Sequence, residues 1–162
     1  MKKYAIIVAG GKGIRMGNDL PKQFILLNNK PVLYYTLKAF LDSYIDLQII
    51  LVLPLDYTDM GQEIIDAYFD KSRIRIAAGG DSRFQSVKNG LALVEVEAIV
   101  FVHDGVRCLV SKELIHRCYD QAVETGTAIP SITSSDSIRI ITEEGNEAFD
   151  RTNVKLIQTP QT

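Results

Sequence analysis

Gly10, Gly11 and Gly13 close an apolar run in "IIVAGGKGIRMGNDLPKQF", residues 6–24, and Arg15 and Lys22 follow them. Glycines let a backbone come close to a ligand and present its N–H groups as an anion nest. Arginine adds a planar fork for phosphate oxygens, and lysine adds a point charge. The set suits a triphosphate attacked at its α-phosphorus, where negative charge builds on the reacting phosphate and on departing pyrophosphate. Two common phosphate motifs fail here. The pattern G-x-G-x-x-G has Met16 in place of its third glycine, and the strand that should end in an acidic ribose ligand ends in "LVLPLD". The P-loop pattern fails because Lys12 is followed by Gly13. Taken alone, the loop also reads as a surface turn with incidental cations.

The elements around this loop decide where it lies. Strand-like runs at 3–9, 47–54, 73–78, 98–103 and 127–132 alternate with helical patterns at 31–43, 57–70, 82–94 and 111–126. Pro31 suits a first helical turn. Ser111, with Glu113 and Leu114 behind it, gives an imperfect capping box, and Gly126 ends that helix. The expected buried faces include Met60, Ile64, Ala67 and Tyr68 in the second helix and Phe84, Val87, Leu91 and Val94 in the third. Alternation of this kind predicts an α/β fold, Rossmann-like and three-layered, with a mostly parallel sheet covered on both faces. Right-handed crossovers then bring the strand-to-helix loops to one sheet edge, where ligands bind. That edge collects the glycine loop, "GGDSRFQS" after the third strand and "HDGVR" after the fourth. From about 134 the rhythm breaks into a β-arm, 134–153, with its turn at Glu144, Gly145 and Asn146.

With 162 residues the chain can bury one real core, and 1–162 reads as a single domain. The net charge of −2 argues against a nucleic-acid or anionic-membrane binder. No run reaches membrane-spanning length or has signal-peptide form, so a cytoplasmic location is expected. Cys108 and Cys118 lack metal or disulfide spacing and read as reduced thiols, the second on a helix face. His103 and His116 form no zinc pattern with them.

G-x-G-x-R-M followed by Pro-Lys resembles the signature of sugar-phosphate and polyol-phosphate nucleotidyltransferases. With "AAGGDSRFQSVKNGL" (77–91), "VHDGVR" (102–107) and "LIQTPQ" (156–161), the chain closely resembles the 2-C-methyl-D-erythritol 4-phosphate cytidylyltransferase family of the non-mevalonate isoprenoid pathway. Three ordered motifs are specific where each alone is weak. The resemblance implies that the phosphate of 2-C-methyl-D-erythritol 4-phosphate attacks CTP and releases pyrophosphate, with Mg²⁺ held mainly by substrate phosphates.

It also implies roles. Backbone at Ala9, Gly10 and Gly11 would contact base and sugar. Gly13, Arg15 and Lys22 would surround the triphosphate. Gly80, Asp81 and Ser86 would recognise cytosine. Asp104 and Gly105 would lie near ribose and acceptor, with Arg107 close to the acceptor. Ser137 and Arg151 would reach the acceptor phosphate of a neighbouring subunit, in a homodimer formed through the 134–153 arm. Arg15, Lys22 and Asp104 are the expected catalytic residues. The plainer alternatives make Asp81 a helix cap, Ser86 a solvent-facing helix residue, His103-Asp104 part of a metal hydrolase, and Arg151 half of an exposed pair with Asp150. Two positions depart from the pattern: Cys108 stands where proline is usual, and Ser137 where threonine is typical. The resemblance further implies a segment beyond "TPQT", with an acidic pair and a late lysine, that these 162 residues do not contain, so reduced activity is expected of this chain. The competing functions are ribitol-5-phosphate cytidylyltransferase and a non-catalytic nucleotide-binding domain. A dinucleotide oxidoreductase is disfavoured by the failed fingerprint.

Overall fold

The computed structural model describes residues 1–11 and 20–157. In chain order its elements are β1 (Lys2–Val8), β2 (Leu26–Leu27), β3 (Lys30–Pro31), α1 (Val32–Leu41), β4 (Leu47–Leu53), α2 (Thr58–Tyr68) and β5 (Ile74–Ala78). They continue as α3 (Arg83–Leu91), β6 (Ala98–Asp104), α4 (Lys112–Thr125), β7 (Ser131–Thr133), β8 (Ile138–Thr142), β9 (Gly145–Phe149) and β10 (Lys155–Ile157). A parallel sheet runs β5-β4-β1-β6, with Ile6 of β1 opposite Ile50 on one side and Val102 on the other. The α/β reading is therefore correct. The strand order reverses between β1 and β6, which opens a crevice beyond their carboxyl ends.

Side-chain alternation in β1 splits the core. Ala5, Ile7 and Ala9 face one layer with Leu33, Leu37, Phe40, Ile64, Ile65, Ile115 and Cys118, which brings α1, α2 and α4 onto that face. Ile6 and Val8 face the other with Ile50, Val52 and Ala77, and α3 covers them. The opposite placement of α3 follows from right-handed crossovers, because the chain reverses direction across the sheet after β5. Arg73 ties the layers at their far end. Its Nη2 donates to the carbonyls of Leu41, Tyr44 and Leu47 at 3.1, 2.7 and 3.1 Å.

Several expectations are corrected. Val87 and Val94 pack on the core as expected, but Phe84 and Leu91 are 77% and 43% exposed, and α3 fully buries Ser86 and Gly90. A Cβ on Gly90 would meet Ile6 Cγ2 at 2.8 Å, so small residues make this contact. In α2, Gly61, Ile64 and Ile65 are buried while Ala67 and Tyr68 face solvent. Pro31 precedes α1 as its extended cap residue, with φ −58° and ψ 145°. Ser111 does cap α4, accepting from Leu114 N–H at 3.2 Å, and Gly126 ends it at φ 85°.

The run at 127–132 does not join the parallel sheet. Pro130 lacks the N–H a ladder requires, and Ser131–Thr133 pairs antiparallel with β10. The arm is a hairpin of β8 and β9, but its turn is Glu143-Glu144, one residue earlier than expected. Thr142 pairs with Gly145, and Gly145 takes the positive φ of 137°. A second, unforeseen hairpin joins β2 to β3 through Asn28 and Asn29, both left-handed at φ 49° and 61°.

Candidate active site

Three strand ends build the crevice, which encloses about 680 Å³. Val8 to Gly11 extend β1, Gly80 to Ser86 connect β5 to α3, and Asp104 and Val106 end β6. Lys22 reaches it from a 3₁₀ turn, Lys22–Phe24. The local sequence fixes that lysine from behind. Phe24 is buried in the core and packs on Tyr57 with ring centroids 5.7 Å apart. Gln23 is also buried, and its Nε2 donates to the Ala9 carbonyl at 2.7 Å. One neighbour of Lys22 is thus held by the core and the β1 extension. Gly13 and Arg15 lie outside the described residues.

On the opposite wall, Ser82 caps α3 by accepting from Gln85 N–H at 3.1 Å, so the cap is Ser82 and not Asp81. Ser86 lies one turn on, 4% exposed, against the reading of a solvent-facing serine. Its hydroxyl donates to the Ser82 carbonyl at 2.9 Å and accepts from Gly80 N–H at 3.1 Å. A hydroxyl has one hydrogen and two lone pairs. What Ser86 has left for the crevice is a lone pair, which recognises a donor. A Cβ at Gly80 would lie 2.3 Å from Gln85 Cγ, so a side chain there would push this wall apart.

The third wall is rigid in its backbone. Gly105 N–H donates to the Val8 carbonyl at 2.8 Å, and the buried Thr36 Oγ1 donates to the Gly105 carbonyl at 2.8 Å. His103 Nε2 donates to the Arg107 carbonyl at 3.0 Å, and burial of the ring lowers its pKa, favouring neutral imidazole. A histidine so engaged does not serve a metal-hydrolase pair, and no group of three metal-ligating side chains occurs among the described residues. Asp104 is flanked by two guanidinium groups. Arg83 Nε lies 3.1 Å from Oδ1 and Arg107 Nε 3.3 Å from Oδ2.

A family model for 2-C-methyl-D-erythritol 4-phosphate cytidylyltransferase matches residues 4–162. The chain belongs to the 2-C-methyl-D-erythritol 4-phosphate cytidylyltransferase family. Relatives of that name include one from Bacteroides thetaiotaomicron, 48% identical over 161 residues, covering 99% of this chain and 74% of the relative. Another, from Porphyromonas gingivalis, is 47% identical and covers 99% and 72%. The crystal structure of 4-diphosphocytidyl-2C-methyl-D-erythritol synthase from Anaerococcus prevotii superposes with a TM-score of 0.81 at 30% identity, over 99% of this chain and 69% of that one. The bifunctional IspDF from Campylobacter jejuni gives 0.77 at 30% identity, over 99% and 40%.

Of the residues the resemblance singled out, Ala9, Gly10, Gly11, Lys22, Gly80, Asp81, Ser86 and Asp104 line one crevice, with Gly105 behind it. Arg107 reaches its edge through Asp104. Ser137 and Arg151 are exposed on the arm and do not line this crevice. Arg151 Nη1 donates to the Ser135 carbonyl at 2.7 Å, while Asp150 caps its own turn by accepting from Thr152 N–H at 3.0 Å. The alternative reading of Arg151 as half of a pair with Asp150 gives way to two separate contacts. Sequence reasoning missed Gln23, Thr36 and Arg83 as residues that set the site. "PKQF" carried a signal for Gln23, since a glutamine between a cation and a core phenylalanine invites a buried bond. Arg83 and Thr36 carried none, because their partners are 21 and 69 residues away.

Proposed function

We infer that this protein transfers a cytidylyl group from CTP to 2-C-methyl-D-erythritol 4-phosphate, giving 4-diphosphocytidyl-2-C-methyl-D-erythritol and pyrophosphate. The observation that carries the base choice is the hydroxyl of Ser86. Its hydrogen is committed to Ser82, so it offers the crevice an acceptor, which suits the 4-amino group of cytosine and not the 4-oxo group of uracil. Family membership carries the acceptor.

In the reaction an acceptor phosphate oxygen forms a bond to the α-phosphorus as the bond from that phosphorus to the bridging oxygen of pyrophosphate breaks. Pyrophosphate leaves with the electron pair, so no protein nucleophile is needed. Lys22 meets the developing charge as a fixed cation, and Arg15 of the same motif is assigned the same task. Backbone at Ala9 to Gly11 lies against the nucleotide, and Asp104 faces ribose and acceptor. Mg²⁺ would neutralise charge on the phosphates, held mainly by them. The crevice carboxylates fit that secondary part, because Asp104 already has a guanidinium on each oxygen and Asp81 stands at the mouth.

The active assembly is a homodimer through the 134–153 arm. An isolated hairpin is marginal in water, and Ile141 and Phe149 on this one are 87% and 41% exposed, which supports a covering partner. Ser137 and Arg151 then serve the acceptor phosphate of the other subunit. Cys108 and Cys118 form no disulfide, which suits a reducing cytoplasm.

Initial rates in the full-length protein test the assignment, with CTP and UTP against 2-C-methyl-D-erythritol 4-phosphate and ribitol 5-phosphate. CTP should exceed UTP by about 10–100-fold in kcat/KM, the worth of one good hydrogen bond to a buried group. A higher kcat/KM with ribitol 5-phosphate, or equal use of the two nucleotides, overturns it.

A further inference from the structure

We propose that Arg83 is a positioning residue that keeps Asp104 in place and paired while Arg107 leaves Asp104 for the acceptor phosphate. The proposal rests on the function inferred above.

The two guanidinium groups divide Asp104 between them, Arg83 at Oδ1 and Arg107 at Oδ2, each through its Nε. Their backbones differ in character. Arg107 belongs to the same loop as Asp104, with its N–H on the Asp104 carbonyl at 3.0 Å and its own carbonyl on His103. Arg83 comes from across the crevice, as the first residue of α3, one position after the Ser82 cap and three before Ser86. It therefore joins the wall that reads the base to the wall that faces ribose and acceptor. Its side chain is about half exposed, and Asp104 is its hydrogen-bond partner among the described residues. Such an exposed pair adds little to folding, so stability does not account for it.

Charge does account for it. A phosphate dianion competes with a carboxylate for an arginine fork and wins on charge. When Arg107 turns to the acceptor, Oδ2 of Asp104 loses its cation beside a triphosphate and a second phosphate. Without Arg83 the carboxylate would stand unpaired among anions, and that repulsion would oppose acceptor entry. Equally, without Arg83 the carboxylate would hold Arg107 as its remaining cation. With Arg83 on Oδ1, Asp104 stays oriented and Arg107 is released at lower cost. The same logic predicts that the penalty for losing Arg83 falls on the acceptor and not on CTP.

The test uses Arg83→Ala and Arg83→Lys in the full-length protein, each alone and with Asp104→Ala. Arg83→Ala should raise the KM for 2-C-methyl-D-erythritol 4-phosphate about tenfold or more, the scale of one charge-assisted hydrogen bond. The KM for CTP should stay within about threefold, and the melting temperature should hold, as for an exposed pair. Arg83→Lys should recover part of the loss, since an ammonium can still hold Oδ1. In the Asp104→Ala background the Asp104 carboxylate that Arg83 holds is gone, so Arg83→Ala should add nothing to the acceptor KM. Calorimetric titration of the acceptor in the presence of pyrophosphate-blocked CTP analogue reads the same coupling without turnover. Additive losses in the double variant, a change confined to the CTP KM, or an Arg83→Ala protein equal to the unmutated one each overturn the proposal alone. An unmutated protein that neither binds nor turns over this acceptor overturns the functional reading, and this inference with it.

Discussion

Replacing Gly90 with alanine sets two effects of known size against each other. Alanine is the better helix former by about 0.8–1 kcal/mol in a helix interior. Gly90 is the next-to-last residue of α3, so less than that is gained. Against it stands space. The new Cβ would lie 2.8 Å from Ile6 Cγ2 and 3.1 Å from Val52 Cγ2, both on side chains with no exposed surface. Comfortable carbon–carbon contact is about 3.5–4.0 Å, so α3 must lift by roughly 0.7 Å or both residues must turn. Each Cγ2 is bonded directly to a branched Cβ and cannot move aside without leaving its χ1 well. Overpacking of this kind costs about 1–3 kcal/mol, so a net loss of about 0.5–2 kcal/mol is expected. Lifting the helix also carries Ser86 away from Gly80 N–H, a bond already 3.1 Å long. The preference for CTP over UTP should therefore fall along with stability. Urea melts and kcat/KM for the two nucleotides measure both. A variant more stable than the parent, with base preference intact, would refute the claim that Gly90 sets the seat of α3.

Lys22→Ala should lower kcat by about 10²–10³ with a smaller change in the KM for CTP, because its charge acts chiefly in the transition state. A raised KM with kcat unchanged would make it a plain binding group. A heterodimer of a Lys22→Ala chain with an Arg151→Ala chain should regain one working site, because both lesions then fall in the same site; a monomer by sedimentation, or no recovery in heterodimers of proven composition, counts against sharing. Burial lowers the pKa of His103 in the folded chain. As pH falls below about 6.5 the unfolded chain takes up the proton first, so stability present above that pH is lost toward the folded pKa. Between pH 7 and 5, the melting temperature of the parent should fall more than that of His103→Gln, which can still donate to Arg107. Equal slopes would show that His103 does not titrate on unfolding.

The sheet and its flanking helices were legible because the strands carry continuous apolar stretches, such as residues 49–53 of β4, and the helices between them are periodic. The crevice was legible for the same reason, since right-handed crossovers bring the three polar loops to one edge. The face of α3 was legible in part, since Val87 packs on the layer of Ile6 and Val52 as its spacing predicts. A periodicity argument seeks large apolar residues, whereas at Gly90 this helix comes too close to Ile6 and Val52 for a side chain to fit easily, and Phe84 is left outside. Small buried residues leave little trace in a hydrophobic pattern. The pairing of Arg83 with Asp104 was equally silent, because it depends on two elements meeting and not on either alone.

The strand order has a consequence for how the chain is made. β1 is synthesised first, yet it ends as an inner strand with β4 on one side and β6 on the other. Its first neighbour, Leu47–Leu53, follows within one helical excursion, but the second, Ala98–Asp104, comes some ninety residues later. Until then a growing chain exposes one full edge of Lys2–Val8, with unpaired N–H and C=O groups along an apolar strand. Such an edge invites pairing with another nascent chain. The arrival of β6 seals that edge and, through Asp104, completes the crevice. Assembly of the site and pairing of the free edge of β1 are therefore one event, with β6 itself left at the margin of the described sheet.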